Sequence, residues 1–270
     1  AELRLRATPL AEPSPGIDPM VRGQILHRAL ELFWGEISDS VALHARRAEL
    51  APLARDCIEL ALGEAQQRVP GGLDPQLLRH EATRDARLFE RLVDWELTRG
   101  PFAVEGLERP ADLTIGGATL RLRLDRIDRL PDGRLIVFDY KTGTAEPFNA
   151  LAERLRRPQL PAYGVVTGER TAAVTALYLT PRGLKLRGIA DREGRVPELR
   201  GVKPDQPAWG VLLEHWRAAL SMLMEEYLRA EARVDPLPHA CDFCQVRPLC
   251  RIQPAPVTEP EELGPEPETP

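Results

Sequence analysis

The residues best suited to chemistry lie close together in the chain: Asp125, then Asp139-Tyr140-Lys141. Between them Pro131-Asp132-Gly133 carries a turn signal, and the flanking segments 118–130 and 134–140 read as strands. A three-residue loop closed by Leu130 and Arg134 lets the pairing be counted outward. Asp125 then falls directly opposite Asp139, with Cβ atoms about 5 Å apart. Lys141, two residues beyond Asp139, projects from the same face. Two carboxylates at that distance repel unless one is protonated or a cation lies between them, and Asp is a poor strand residue. A hard divalent ion, Mg2+ or Mn2+, resolves both problems, because it prefers oxygen ligands and keeps several waters. Bound there it would polarise a phosphate, lower the pKa of a bound water and orient the nucleophile, as phosphodiester hydrolysis requires. Lys141 would stabilise charge developing on the phosphate or position the attacking water. The competing reading is a surface hairpin whose aspartates pair with Arg121, Arg123 or Arg126. A one-residue slip would also move Asp125 off the shared face.

The surrounding elements follow from periodicity. Apolar residues recur at helical spacing over 20–37, and 40–69 and 74–99 read as two further amphipathic helices separated by Pro70-Gly71-Gly72. After Gly100-Pro101 come short extended segments, 102–108 and 112–116. In 118–130, Leu120, Leu122 and Leu124 alternate with Arg121, Arg123 and Asp125. Residues 134–140 are mostly apolar, which suits a strand buried on both faces. A helix over 148–166, strands over 172–179 and 184–190, and a long helix over 205–232 complete the order. Helices, a strand meander, a helix, strands and a last helix make a mixed α/β domain.

The chain has 270 residues, of which 43% are hydrophobic and 29% charged, so disorder over the whole length is excluded. Its apolar runs are too short for a transmembrane helix, and its first thirty residues lack a signal-peptide stretch; the expectation is a cytoplasmic protein with no membrane partner. The net charge of −5 comes from residues 254–270, which hold five Glu and no Lys or Arg. Net charge therefore argues neither for nor against nucleic acid as a partner. With 33 Arg and three Lys in the chain, a lysine inside an acidic motif stands out.

Taken together, these motifs resemble RecB-type nucleases of the PD-(D/E)xK superfamily. The resemblance rests on Asp125-Arg126-Ile127-Asp128 followed by Asp139-Tyr140-Lys141-Thr142-Gly143, with Gly23-Gln24-Ile25-Leu26-His27 upstream and Gln159-Leu160-Pro161-Ala162-Tyr163 downstream, all in the family's order. It implies a restriction-endonuclease-like α/β fold, a mixed central sheet flanked by helices, with an N-terminal helical segment. It also implies that His27, Asp125, Asp139 and the main-chain carbonyl of Tyr140 bind the metal, and that Lys141 is the catalytic lysine. Gln159 and Tyr163 resemble residues that brace the site or touch DNA. Asp128 points to the opposite face and reads as structural, while Glu108 matches an upstream Glu of less defined role. Arg121 and Arg123 suit a phosphate backbone approaching the metal, which gives affinity with little sequence specificity. Arg154, Arg156 and Arg157 either meet phosphate or line a solvated helix face.

Cys241, Cys244 and Cys250 resemble the C-terminal triplet of the family's iron–sulfur nucleases, AddB and its CRISPR-associated relatives, whose first cysteine ligand to a [4Fe-4S] cluster lies upstream of the helix histidine. Here no Cys precedes His27. Either the chain was cut just before residue 1 and lost that ligand, and the cluster with it, which its start without Met favours, or Cys57 takes its place. A buried free thiol is the expected fate of Cys57, and zinc held by His239 with the three cysteines is the lesser alternative. The expected organisation is a linker or remnant of an upstream region at 1–19 and a nuclease domain at 20–252. Within it, 20–99 is helical, 100–190 is the sheet core with the site, and 205–252 holds the last helix and the cysteines. A disordered acidic Pro/Glu tail follows at 253–270. The functional expectation is a Mg2+/Mn2+-dependent deoxyribonuclease acting on single strands or DNA ends in repair or recombination, beside an upstream helicase-like region. The alternative is a DNA-binding or scaffolding module on the same fold that no longer cuts.

Overall fold

A computed structural model describes residues 16–68, 72–231, 236 and 241. The N-terminal arm, the acidic tail, His239, Cys244 and Cys250 lie outside the described residues, and so does most of the segment that follows the last helix. Residues 14–231 form one compact unit. Its elements are α1 (Pro19–Glu36), α2 (Ser40–Ala45), α3 (Leu50–Arg68), α4 (Pro75–Glu96), β1 (Ala103–Ile115), β2 (Ala118–Arg129), β3 (Leu135–Lys141), α5 (Gln159–Thr167), β4 (Thr171–Thr180), β5 (Gly183–Ala190) and α6 (Trp209–Leu228). The strands form one sheet in the order β1-β2-β3-β4-β5. Every neighbouring pair is antiparallel except β3 and β4, which are parallel and joined through α5. This is the mixed sheet with an N-terminal helical segment that the sequence implied.

Local chemistry sets the helix boundaries. The Asp18 side chain accepts from Met20 N and Val21 N and Pro19 follows it, so α1 starts with an N-cap and a proline where no amide is lost. Asp74 and Pro75 repeat the device at α4. The helix expected over 40–69 is broken into α2, a 3-10 turn at Arg47–Glu49, and α3. Pro52 accounts for the break: a continuous helix would set its ring against the carbonyl of Ala48, whereas in the first turn of α3 it is tolerated. The helix expected over 148–166 is likewise confined to Gln159–Thr167, with Pro158 at its N-cap and Pro161 in its first turn. Residues 142–158 are irregular, so Arg154, Arg156 and Arg157 lie on no helix face, and Arg157 pairs with Glu146. The two segments expected before Gly116 form one strand, β1. It runs through Pro110, which an edge strand accommodates.

The sheet separates two apolar clusters. Ile25, Leu26, Phe33, Trp34, Phe89 and Phe138 belong to the first, built with α1–α4. Leu124, Ile127, Val137, Tyr163, Val165 and Trp216 belong to the second, built with α5 and α6. β3 is buried on both faces up to Tyr140, as its apolar run suggested. A Cβ at Gly164 would lie 2.7 Å from the Trp216 ring, so only glycine lets α5 dock this closely on α6. α1 is clamped to its neighbours by ion pairs on either side of His27: Arg22 to Glu81 of α4 at 2.7 Å, and Arg28 to Glu64 of α3 at 3.0 Å.

Candidate metal centre

The β2–β3 hairpin closes as a three-residue loop. Leu130 N donates to Arg134 O at 2.8 Å, Gly133 N donates to Leu130 O at 2.9 Å, and Gly133 takes the positive φ (80°) that such a turn requires. Pairing runs from Arg129↔Leu135 to Arg126↔Phe138, and one further step sets Asp125 opposite Asp139. On the other side of β2, the pairs Leu107↔Arg126 and Arg109↔Leu124 leave Glu108 opposite Asp125. Glu108 has φ 44°, in the left-handed region that non-glycine residues seldom occupy. The β1–β2 register shifts nearby, between Val104 and Gly106. Leu124 and Ile127 both pack in the second apolar cluster although three residues apart, so strict alternation breaks at Asp125-Arg126. The break frees Asp125 from the simple two-face pattern just where α1 crosses.

His27, Glu108 and Asp125 each offer a ligand atom, all within 4.8 Å of one another. His27 Nδ1 lies 3.5 Å from Asp125 Oδ2 and 3.8 Å from Glu108 Oε1, and its Nε2 lies 2.8 Å from the Tyr140 carbonyl oxygen. Asp125 Oδ2 also accepts from Tyr140 N at 2.8 Å. Asp139 is buried beside this group and held from the α5 side. Lys141 Nζ is 3.0 Å from Asp139 Oδ1 and 2.9 Å from Oδ2, and Gln159 Nε2 donates to Oδ1 at 2.7 Å. Gln159 Oε1 accepts from Lys141 Nζ at 3.1 Å, so one amide holds both the carboxylate and the ammonium. Tyr163 OH lies 2.7 Å from Gln159 Nε2 and donates to Arg123 O at 2.9 Å, tying α5 to β2. Arg123 Nε reaches Glu108 Oε2 at 2.7 Å, whereas Arg121 is exposed on β2 opposite Asp112. The alternative pairing of Asp125 or Asp139 with Arg121, Arg123 or Arg126 is therefore not what forms: Arg123 holds Glu108, and Arg126 holds Glu96 and Asp128.

The electrostatics of the group favour a proton or a cation among its carboxylates. Burial pushes the Asp125 carboxyl up to about 6, and the neighbouring charge of Asp139 adds to the shift. Burial also raises Asp139, against the opposing pull of Lys141. For His27, burial works against protonation, but Glu108, Asp125 and the Tyr140 carbonyl together outweigh it and raise the pKa. Two carboxylates and an imidazole within 4.8 Å of one another, with the buried Asp139 near enough to raise Asp125, form a donor set that fits a hard divalent ion. An open basin of about 780 Å3, lined in part by Gln24, His27, Arg28, Glu108 and Arg123, gives access from solvent.

Glu108 is the residue whose place sequence reasoning left undefined. The signal was present: Gly116-Gly117 is a turn, and counting outward from Ile115 and Ala118 sets Glu108 against Asp125. Of the cysteines, Cys57 is buried in the first apolar cluster, where burial pushes its thiol up to about 11, away from the thiolate that a metal ligand needs. Among the described residues Cys241 has no disulfide partner. The proposed iron–sulfur or zinc site otherwise lies outside the described residues.

A family model described as the PD-(D/E)XK nuclease superfamily matches residues 1–251. The chain belongs to this superfamily. It is similar, at 28% identity over 256 residues, to an ATP-dependent helicase/deoxyribonuclease subunit of Symbiobacterium thermophilum, with 80% of this chain covered. The chain spans about a fifth of that relative's length (20%). The crystal structure of SSO0001 is similar over 93% of this chain and 91% of its own, with a TM-score of 0.35 and 13% identity, too slight a likeness to build on. Among the described residues no helix is long and apolar enough to cross a membrane.

Proposed function

We propose that the chain is a divalent-metal-dependent DNA nuclease that hydrolyses phosphodiester bonds, acting in the cytoplasm on single strands or DNA ends during repair or recombination. The observation that carries this reading is the gathering of His27, Glu108 and Asp125 within 4.8 Å, beside Asp139 and a lysine braced by two partners. His27, Glu108, Asp125, Asp139 and the Tyr140 carbonyl would hold Mg2+ or Mn2+. When bound, the ion would supply Lewis acidity toward a phosphate and a lowered pKa for water. Lys141, a third exposed at its side chain, keeps its ammonium at the mouth of the site, where it meets the phosphate and positions the attacking water. Gln159 fixes that ammonium relative to Asp139, and Tyr163 fixes Gln159.

Arg123 and Arg121 would meet the phosphate backbone, with little preference for sequence. The name of the Symbiobacterium relative supports a place beside a helicase-like region, with residues 20–252 as the nuclease domain. Cys241, Cys244 and Cys250 remain candidates for a [4Fe-4S] cluster. Iron content and visible absorption of anaerobically purified protein test this, and stoichiometric zinc without iron would refute it. The nuclease reading is tested with Mn2+ on end-labelled single- and double-stranded DNA. Wild type should cleave unrelated sequences alike, while Lys141→Ala and Asp139→Ala, still folded, should lose at least about 10²-fold in rate. Equal cleavage by all three proteins would overturn the assignment, and no cleavage by wild type would favour the non-cutting DNA-binding module.

A further inference from the structure

We propose that a fully buried ionic cage behind the metal centre positions His27 and Asp125 through Tyr140, so that Arg126, Glu96 and the Tyr140 hydroxyl are positioning groups of the site. The inference rests on the metal-centre reading above. Arg126 donates from Nε and Nη2 to the two oxygens of Asp128 at 2.7 and 2.8 Å, and from Nη1 to Glu96 Oε1 at 2.7 Å. Arg99 closes the ring, with Nη1 2.6 Å from Glu96 Oε2 and Nη2 2.7 Å from Asp128 Oδ2. Two arginines and two carboxylates balance, and their side chains are 0–3% exposed. Aromatic rings wall them in: the Arg126 guanidinium lies 3.5 Å from the Trp34 ring centre, and that of Arg99 lies 4.3 Å from Phe102 and 4.7 Å from Phe138.

Stability alone is a weak reason for such a cage, because well-packed apolar side chains commonly serve as well as a buried ion-pair network. What apolar packing cannot supply is direction. Arg126 Nη1 also donates to the Tyr140 hydroxyl at 3.2 Å, and the main chain of Tyr140 meets two groups of the metal centre. Its N–H holds Asp125 Oδ2 and its carbonyl meets His27 Nε2, both at 2.8 Å. Its ring stands edge-on to the His27 imidazole at 86°. The cage residues are also chain neighbours of the site: Arg126 follows Asp125, and Tyr140 lies between Asp139 and Lys141. Trp34 is on α1, two turns beyond His27, so the cage touches all three elements that supply the proposed ligands His27, Asp125 and Asp139. Anchoring the Tyr140 side chain fixes the peptide that aims His27 and Asp125.

The test is calorimetric titration of Mn2+ into wild type, Tyr140→Phe, Glu96→Gln and Phe89→Ala. Tyr140→Phe removes only the hydroxyl and leaves the peptide in place. Phe89→Ala opens a core position beside Phe33 and serves as a control for general destabilisation. The expected result is roughly tenfold weaker Mn2+ binding by Tyr140→Phe and Glu96→Gln. Circular dichroism should be unchanged, and cleavage should recover at saturating Mn2+. Phe89→Ala should lower the melting temperature and bind Mn2+ like wild type. Wild-type affinity in Tyr140→Phe, or equal weakening in Phe89→Ala, would overturn the positioning role while leaving the metal centre standing. Absence of Mn2+ binding by wild type would instead remove the metal centre and this inference with it.

Discussion

The tetrapeptide Asp125-Arg126-Ile127-Asp128 feeds two buried charged clusters of opposite design. Arg126 and Asp128 join Glu96 and Arg99 in a cage whose charges cancel and whose carboxylate oxygens all find arginine partners. Asp125 joins Glu108, Asp139 and His27 in a cluster with an excess of negative charge, relieved among the described residues by Arg123 and by Lys141 at its mouth. The first cluster is complete with protein atoms alone. The second is strained by its own charges, and its left-handed Glu108 adds a backbone cost of about 1–3 kcal/mol. Buried charge that is closed on itself serves geometry. Buried charge left open serves something that arrives from outside.

Unbalancing the closed cluster should have the largest effect on folding. Arg126→Met leaves Glu96 and Asp128 with a single arginine between them, and should cost about 3–5 kcal/mol in urea denaturation. A change in the open cluster should have the opposite sign. Asp125→Asn removes a buried charge and should stabilise the metal-free protein by roughly 2 kcal/mol at pH 7.5 while abolishing Mn2+-dependent cleavage.

The same contrast sets the pH dependence. The Asp125 pKa is raised from 3.8 to about 6 in the folded chain, so between those values only the folded state holds the proton. Its contribution is complete below pH 3.8 and lost as pH rises through 6, a fall of about 3 kcal/mol. His27, also raised, extends the loss in the same direction above pH 6.5. Denaturation in EDTA should therefore show wild type weaker at pH 7.5 than at pH 4.5, with Asp125→Asn much flatter across the range. The smallest effect belongs to the brace on α5. Gly164→Ala would crowd Trp216 and should cost about 1–3 kcal/mol. Because Gln159 on the same helix holds both Asp139 and Lys141, cleavage should fall and Mn2+ binding should weaken with it.

The two clusters were not equally legible in the sequence. The open one could be read because hairpins carry their own ruler: the Pro131-Asp132-Gly133 turn fixes the pairing, and counting from it sets Asp125 against Asp139. The same count from Gly116-Gly117 reaches Glu108, although nothing in the sequence announces its left-handed backbone. The cage could not be read, because Glu96 and Arg99 approach Arg126 and Asp128 only through the packing of α4 on the sheet, which no local pattern encodes. Asp128 showed only that it faces away from the site. The helix limits failed for a different reason. Pro52 and Pro158 were visible in the sequence, but the amphipathic pattern runs across them, and the cost of an interior proline outweighs that pattern.

The proposed chemistry stands or falls on His27, Glu108, Asp125 and Asp139 holding one divalent cation between them. Electron paramagnetic resonance of Mn2+ titrated into metal-free protein at pH 7.5 measures this directly, with Asp125→Asn titrated alongside. The expected result is one tightly bound Mn2+ per wild-type chain and its loss in the variant. An ion count of zero for wild type, or the same binding by the variant, would contradict it.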